Sequence, residues 1–210
     1  MPRGIDSIER VNAKVENAGA RYVARLVDPL LERLLEELPA LQLVGPRACG
    51  KTTTARRLAA TTVSLDDPNI AAAFTADPDA ALRGLAEPVL VDEWQVVPEV
   101  LGAIKRSVDH DSRPGRYLVT GSVRAPFEAH TWPGTGRIVN IAMGPFTERE
   151  LSGDARASSW FDRLLTDEDL PPVAIDGPDL RDYIELAVRG GFPEVVKDRS
   201  VEARNRWLAS

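Results

Sequence analysis

The chain has 210 residues, 43% apolar and 28% charged, with a formal net charge of −6. This length supports one sizeable core with a small appendage, and the composition is that of an ordinary globular protein. The acidic balance speaks against nonspecific coating of nucleic acid, and the single cysteine, Cys49, excludes an intrachain disulfide or a cysteine-based zinc cluster.

Residues 1–17 carry charges throughout and no apolar stretch, so no secretory signal is expected. No apolar run approaches a membrane span, and a cytoplasmic protein is expected. Ile5, Ile8, Val11 and Val15 keep helical spacing, so residues 1–20 read as an N-terminal helix or extension. Asp28-Pro29 then opens an amphipathic helix, with Asp28 as N-cap and Pro29 in the first turn. Leu30, Leu31, Leu34, Leu35 and Leu38 form its apolar face, and Pro39 ends it.

The apolar run 41–44 predicts a strand, and residues 53–60 predict a helix. Between them lies Gly45-Pro46-Arg47-Ala48-Cys49-Gly50-Lys51-Thr52, which fits G-x-x-x-x-G-K-[ST]. A glycine loop between strand and helix cradles phosphate. Its backbone N–H groups and the helix N-terminus favour anions. Lys51 can reach the β- and γ-phosphates, and the Thr52 hydroxyl can ligate Mg²⁺. Residues 45–53, Thr53 included, are therefore the candidate nucleotide-binding residues. Cys49 is read as a small residue that the loop tolerates.

Residues 61–65 predict a second strand. Asp67-Pro68 and Asp77-Pro78 each cap a helix, running to residues 74 and 86. Residues 88–93 form an apolar strand ending in Asp92 and Glu93. An acid there can hold the Mg²⁺ that Thr52 touches, and Glu93 can activate a water. A helix follows over 98–109, then a strand over 117–120. Thr120 or Ser122 at the end of that strand can sense the γ-phosphate. A fifth strand is expected over 137–142, and Arg137, with Arg124 and Arg149 as competitors, is a candidate for the transition-state charge in its own or a neighbouring subunit.

Val/Ile/Leu-rich strands alternating with helices indicate a parallel sheet covered on both faces, an α/β three-layer architecture. From residue 148 onward the composition turns acidic, serine-rich and proline-broken. A helix over 179–189 stops at Gly190-Gly191, and a last helix covers 200–209. The expected organisation is an extension (1–20), an ATP-binding domain (21–147) and a helical appendage (148–210), lid or linker.

These residues resemble a known group. Gly45-Pro46-Arg47 with Gly50-Lys51-Thr52-Thr53, Val91-Asp92-Glu93-Trp94-Gln95, Thr120-Gly121-Ser122, Gly136-Arg137, Gly144-Pro145-Phe146 with Glu150-Leu151, and Gly190-Gly191-Phe192-Pro193-Glu194 occur in the order found in predicted bacterial and archaeal ATPases of the AAA+ superfamily. Those proteins usually carry a C-terminal domain of uncharacterised, nuclease-like type, which is not seen in this sequence. The resemblance implies a P-loop fold with a five-stranded sheet in the order 5-1-4-3-2. It also implies phosphate and Mg²⁺ on Lys51 and Thr52, Mg²⁺ support from Asp92, water activation by Glu93, and a sensor at Ser122 or Thr120.

With no guanine-reading N-[KT]-x-D motif evident, ATP is the expected nucleotide. Hydrolysis that drives a partner or attached domain is the expected activity. A nucleotide switch with little turnover and a small-molecule or nucleotide kinase are the alternatives. A homo-oligomer or protein partner is compatible with the sequence; nucleic acid and membrane partners have no support in its charge or hydropathy.

Overall fold

The structure, a computed structural model, describes residues 22–121, 136–157, 160–166, 179–196 and 200–210. The helix expected over 1–20 lies outside them. Two compact units emerge: Val27–Gly144, and a second that contains residues 22–26 and those from Pro145 onward.

The first unit runs α1 (Asp28–Glu37), β1 (Ala40–Val44), α2 (Lys51–Arg56), β2 (Thr61–Ser64), α3 (Pro68–Ala76), α4 (Pro78–Leu82), β3 (Val89–Asp92), a 3₁₀ turn (Trp94–Val96), α5 (Glu99–His110), β4 (Tyr117–Thr120) and β5 (Val139–Ala142). All strand pairs are parallel, in the order β2-β3-β4-β1-β5. This is the expected order 5-1-4-3-2, seen from the other edge.

Alternation along the strands sorts side chains onto two faces. Val63, Val89, Val91, Tyr117 and Val119 join one core with Val100, Leu101, Ile104 and Val108 of α5. Leu41, Leu43, Leu90 and Leu118 fall on the opposite face and are fully buried. Burying each leucine contributes about 1.5–3 kcal/mol.

The proline-opened helices α3 and α4 start where the sequence places them. The Asp67 carboxylate accepts from Asn69 N, and that of Asp77 from Ala80 N. α4 stops at Leu82 rather than residue 86, before Gly84, which adopts a left-handed φ of 80°. Asp28 is not the N-cap of α1. The helix includes it, Val27 takes the cap position, and the Asp28 carboxylate turns to the Arg57 guanidinium at 3.2 Å while only 2% exposed. An ion pair with a residue distant in sequence outweighs the local cap here.

The second unit contains α6 (Glu148–Leu151), α7 (Trp160–Leu165), α8 (Leu180–Arg189), α9 (Pro193–Val196) and α10 (Val201–Leu208). α8 and α10 match the two helices read from sequence, capped by Asp179 and Ser200. α6, α7 and α9 were not expected. The signal for α6 was present as Thr147-x-x-Glu150, a reciprocal capping box. Glu150 is 4% exposed; it also accepts from Leu26 N at 2.7 Å and pairs with Arg25 at 3.0 Å. Arg25 stacks on the Phe146 ring at 4.4 Å. Gly191 closes this arrangement because a Cβ there would overlap the Phe146 carbonyl, while Phe146 N donates to Gly191 O at 2.7 Å. Trp207 lies against Phe192, with ring centroids 5.5 Å apart, and Leu208 is 43% exposed. Among the described residues, no helix is long and apolar enough to cross a membrane.

Candidate nucleotide site

Because every strand of the sheet is parallel, the segments that follow β1, β3 and β4 emerge at one edge. The loop 45–50, the acids Asp92-Glu93 and the pair Thr120-Gly121 therefore meet there. The geometry of α/β sheets makes this carboxyl edge the usual place for a ligand crevice.

The loop is shaped by backbone positions that suit few residues. A Cβ on Gly45 would overlap the Met143 carbonyl beyond β5, so only glycine lets the loop leave β1 along this path. Gly50, at φ 100°, turns the chain into α2, a conformation costly for residues with a Cβ. Ala48 is left-handed as well, at φ 60°. Cys49 is fully buried, and its thiol donates to Met143 O at 3.5 Å, so it packs as part of the loop. α2 begins at Lys51, two residues earlier than the sequence suggested, and ends at Arg56.

Lys51 is 7% exposed, and its ammonium donates to Gly45 O at 3.1 Å and Pro46 O at 2.7 Å. A cation is thus held across the mouth of the loop by neutral carbonyls. Two carbonyls are weaker partners for an ammonium than phosphate oxygens would be.

Asp92 is the centre of the acidic cluster. It shares strand parity with Leu90, and Thr120 with Leu118, so both face the layer to which α2 belongs. Asp92 Oδ1 accepts from Thr52 Oγ1 at 2.9 Å, Thr120 Oγ1 at 2.5 Å and Glu93 N at 3.2 Å. Asp92 is 6% exposed and Thr120 fully buried. Asp92 and Thr52, a pair expected from the sequence, are brought together in the structure. Thr120 hydrogen-bonds to the acid itself, so its hydroxyl braces Asp92. Ser122 and Arg124 lie outside the described residues.

Glu93 stands immediately beyond, with its backbone at φ 55° and ψ 44°. The side-chain amide of Gln95 donates to its carboxylate. The local sequence carries little sign of this contact beyond a glutamine two residues after the acid. Trp94 is partly buried and packs against the core.

The structure does not bring Arg137 to this cluster. It precedes β5, whose Val139 pairs with Leu41 near the start of β1, so it sits at the opposite edge of the sheet from the loop. Its Nε donates to Asp109 Oδ1 at 2.7 Å, and β5 begins at Val139 rather than Arg137. Arg149 belongs to the second unit, where it donates to the Asp154 and Ala157 carbonyls.

Asp109 also pairs with Lys105 at 2.8 Å. The hydrogen bond from Lys105, and then that from Arg137, holds its carboxyl below the ordinary value of 3.8. A carboxyl depressed on folding contributes stability that is complete above its unfolded pKa and is lost as pH falls through the lower folded value. Asp109→Asn is therefore expected to melt slightly below wild type at pH 6. The gap should narrow as the pH drops below 3.8, and paired thermal melts at pH 6 and pH 3 would show it.

The residues present fit a nucleotide with a hard divalent cation. Magnesium takes few protein ligands, typically one or two carboxylates with waters and phosphate oxygens. A hydroxyl and a carboxylate already aligned at 2.9 Å, beside the glycine loop, supply that set. Among the described residues no three of His, Cys, Asp and Glu gather as a metal cage.

A family model for the AAA domain matches residues 38–152, more than half of the chain. Uncharacterized proteins of Mycobacterium tuberculosis and Mycobacterium bovis are each 32% identical to it over 146 residues. The match covers 68% of this chain and 32% of each relative, so the chain spans about a third of the length of the curated relatives it matches.

Proposed function

We propose that this chain, which belongs to the AAA domain family, binds ATP on residues 45–53 and hydrolyses it with Mg²⁺ to drive or gate an attached domain or a partner protein in the cytoplasm. The observation that carries this reading is the Asp92 carboxylate. It is shared by the Thr52 hydroxyl of the loop helix and the Thr120 hydroxyl of β4, with Glu93 next to it at the same sheet edge.

In this reading the Lys51 ammonium exchanges the Gly45 and Pro46 carbonyls for β- and γ-phosphate oxygens. Thr52 and Asp92 hold Mg²⁺, which when bound neutralises phosphate charge. Glu93 orients a water toward the γ-phosphorus and accepts its proton; the new P–O bond replaces the one to the β–γ bridging oxygen, and ADP leaves. A transition-state role for Arg137 requires a second copy, because in its own chain it lies at the far sheet edge. The attached domain would be of the nuclease-like kind that accompanies similar ATPases. The mycobacterial relatives, about three times as long as their matched segment, have room for one.

One observation favours a second reading, a nucleotide switch with little turnover: the Glu93 carboxylate is already engaged by Gln95. A kinase is less well supported, since an acid beside Asp92 suits water attack better than transfer to an acceptor hydroxyl.

The test compares wild type with Lys51→Ala for binding of a fluorescent ATP analogue with Mg²⁺ and for phosphate release. Hydrogen bonds to charged groups are worth roughly 1.5–3 kcal/mol, so Lys51→Ala should bind about 10- to 100-fold more weakly. A wild type without affinity for any nucleoside triphosphate in Mg²⁺ overturns the proposal. Binding without phosphate release selects the switch, and transfer only to an added acceptor selects the kinase.

A further inference from the structure

We infer that Gln95 is a positioning residue for the proposed hydrolysis, one that fixes the Glu93 carboxylate from the end of β4; the inference rests on the reading of Glu93 as the group that activates water. Three features meet at this contact. First, Glu93 occupies the left-handed region at φ 55°, which a residue with a side chain adopts only when its surroundings compel it. The 3₁₀ turn Trp94–Val96 follows directly and folds Gln95 back over Glu93. There the Gln95 Nε2 donates to Glu93 Oε2.

Second, the other end of the same amide is buried without a hydrogen-bond partner. An orphaned buried acceptor is unfavourable. The amide stays in this orientation because its nitrogen must face the carboxylate, which places its oxygen against the Gly121 backbone, just past β4. Third, Gly121 makes room for it. A methyl group at Gly121 would overlap Gln95 Oε1 and lie 2.7 Å from Trp94 Nε1 and Cδ1. Gly121 is thus a point of close approach between a strand end and the Glu93 turn.

The consequence is mechanical. Thr120, adjacent to Gly121, braces Asp92, and Gln95, wedged on Gly121, holds Glu93. One strand end thus sets the position of both acids. Gln95 touches neither phosphate nor water in this scheme; it acts through the carboxylate it holds.

The experiment is a double-mutant cycle on the full chain. Gln95→Met keeps the length of the side chain beside Gly121 and removes the donor. Gln95→Glu keeps its shape and serves as the second variant. Each is placed in the wild-type and the Glu93→Gln backgrounds, with thermal melts, Mg²⁺-ATP-analogue affinity, and kcat and KM for phosphate release. In the wild-type background both should retain nucleotide affinity and KM within about twofold and lose at least tenfold in kcat. In the Glu93→Gln background Gln95→Met should change kcat less than twofold, because groups that act through one another are not additive. Equal losses in both backgrounds, weakened nucleotide affinity, or a kcat at or above that of wild type would each overturn the assignment. A wild type that releases no phosphate, or a Glu93→Gln variant as fast as wild type, removes the hydrolysis reading and this inference together. Full activity in Gln95→Met beside an impaired Glu93→Gln removes the inference alone.

Discussion

Glu93→Gln is expected to bind Mg²⁺-ATP like wild type and to release phosphate roughly 10²- to 10⁴-fold more slowly, the usual contribution of a positioned general base. The substitution preserves size and hydrogen-bonding reach but removes the site for the water proton. The Glu93 backbone lies at φ 55° beside Asp92, whose Oδ1 it already contacts through its N–H at 3.2 Å. Glutamine can keep that backbone contact, so the loop, Lys51 and Thr52 stay in place and binding is spared. Single-turnover phosphate release with nucleotide affinity measured in parallel separates the two effects. If Glu93→Gln turns over at the wild-type rate, the base is elsewhere.

Glu150→Ala is expected to destabilise the second unit by about 3–5 kcal/mol, the usual effect of removing one partner from a buried ion pair. Arg25 and Glu150 have side chains 3% and 4% exposed and are linked at 3.0 Å. The carboxylate also accepts from Leu26 N and from Thr147 N, both at 2.7 Å. Truncation leaves the Arg25 guanidinium buried without this carboxylate, among contacts that include the Pro145 carbonyl at 3.2 Å and the Phe146 ring. It also frees two backbone donors, that of Thr147 at the start of α6 and that of Leu26. Hydrogen exchange of residues 145–151 should accelerate, and the unfolding transition of this unit should move to lower denaturant. A variant that unfolds with wild type would show that the pair contributes little net stability.

Much of the first unit was legible along the chain because its signals are local. Alternating Val and Leu runs set the strands, Asp67 and Asp77 before proline set two helix starts, and the glycine pattern at 45–50 set the loop. The sheet order followed from the resemblance to AAA+ ATPases, which rests on motifs spread from residue 45 to residue 194. Of the short helices of the second unit, α6 is marked along the chain only by its capping box, and α7 and α9 carry too few periods to stand out. Phe146, just ahead of α6, and Gly191, just ahead of α9, are joined by a backbone hydrogen bond that no local pattern announces.

The sequence by itself determined which groups could serve: an ammonium and a hydroxyl after the glycine loop, and two adjacent acids at the end of one apolar strand. Only the tertiary structure decided which of them meet. Parallel register and side-chain parity set Thr120 against Asp92 across 28 residues and put Arg137 at the opposite edge of the sheet. Packing brought Gln95 onto Gly121, turned Asp28 from a cap into the partner of Arg57, and joined Arg25 to Glu150 across 125 residues. Local propensity acts within a few residues of chain, whereas strand register and buried charge pairing are fixed by the folded sheet and core, where desolvation makes an unmatched partner costly.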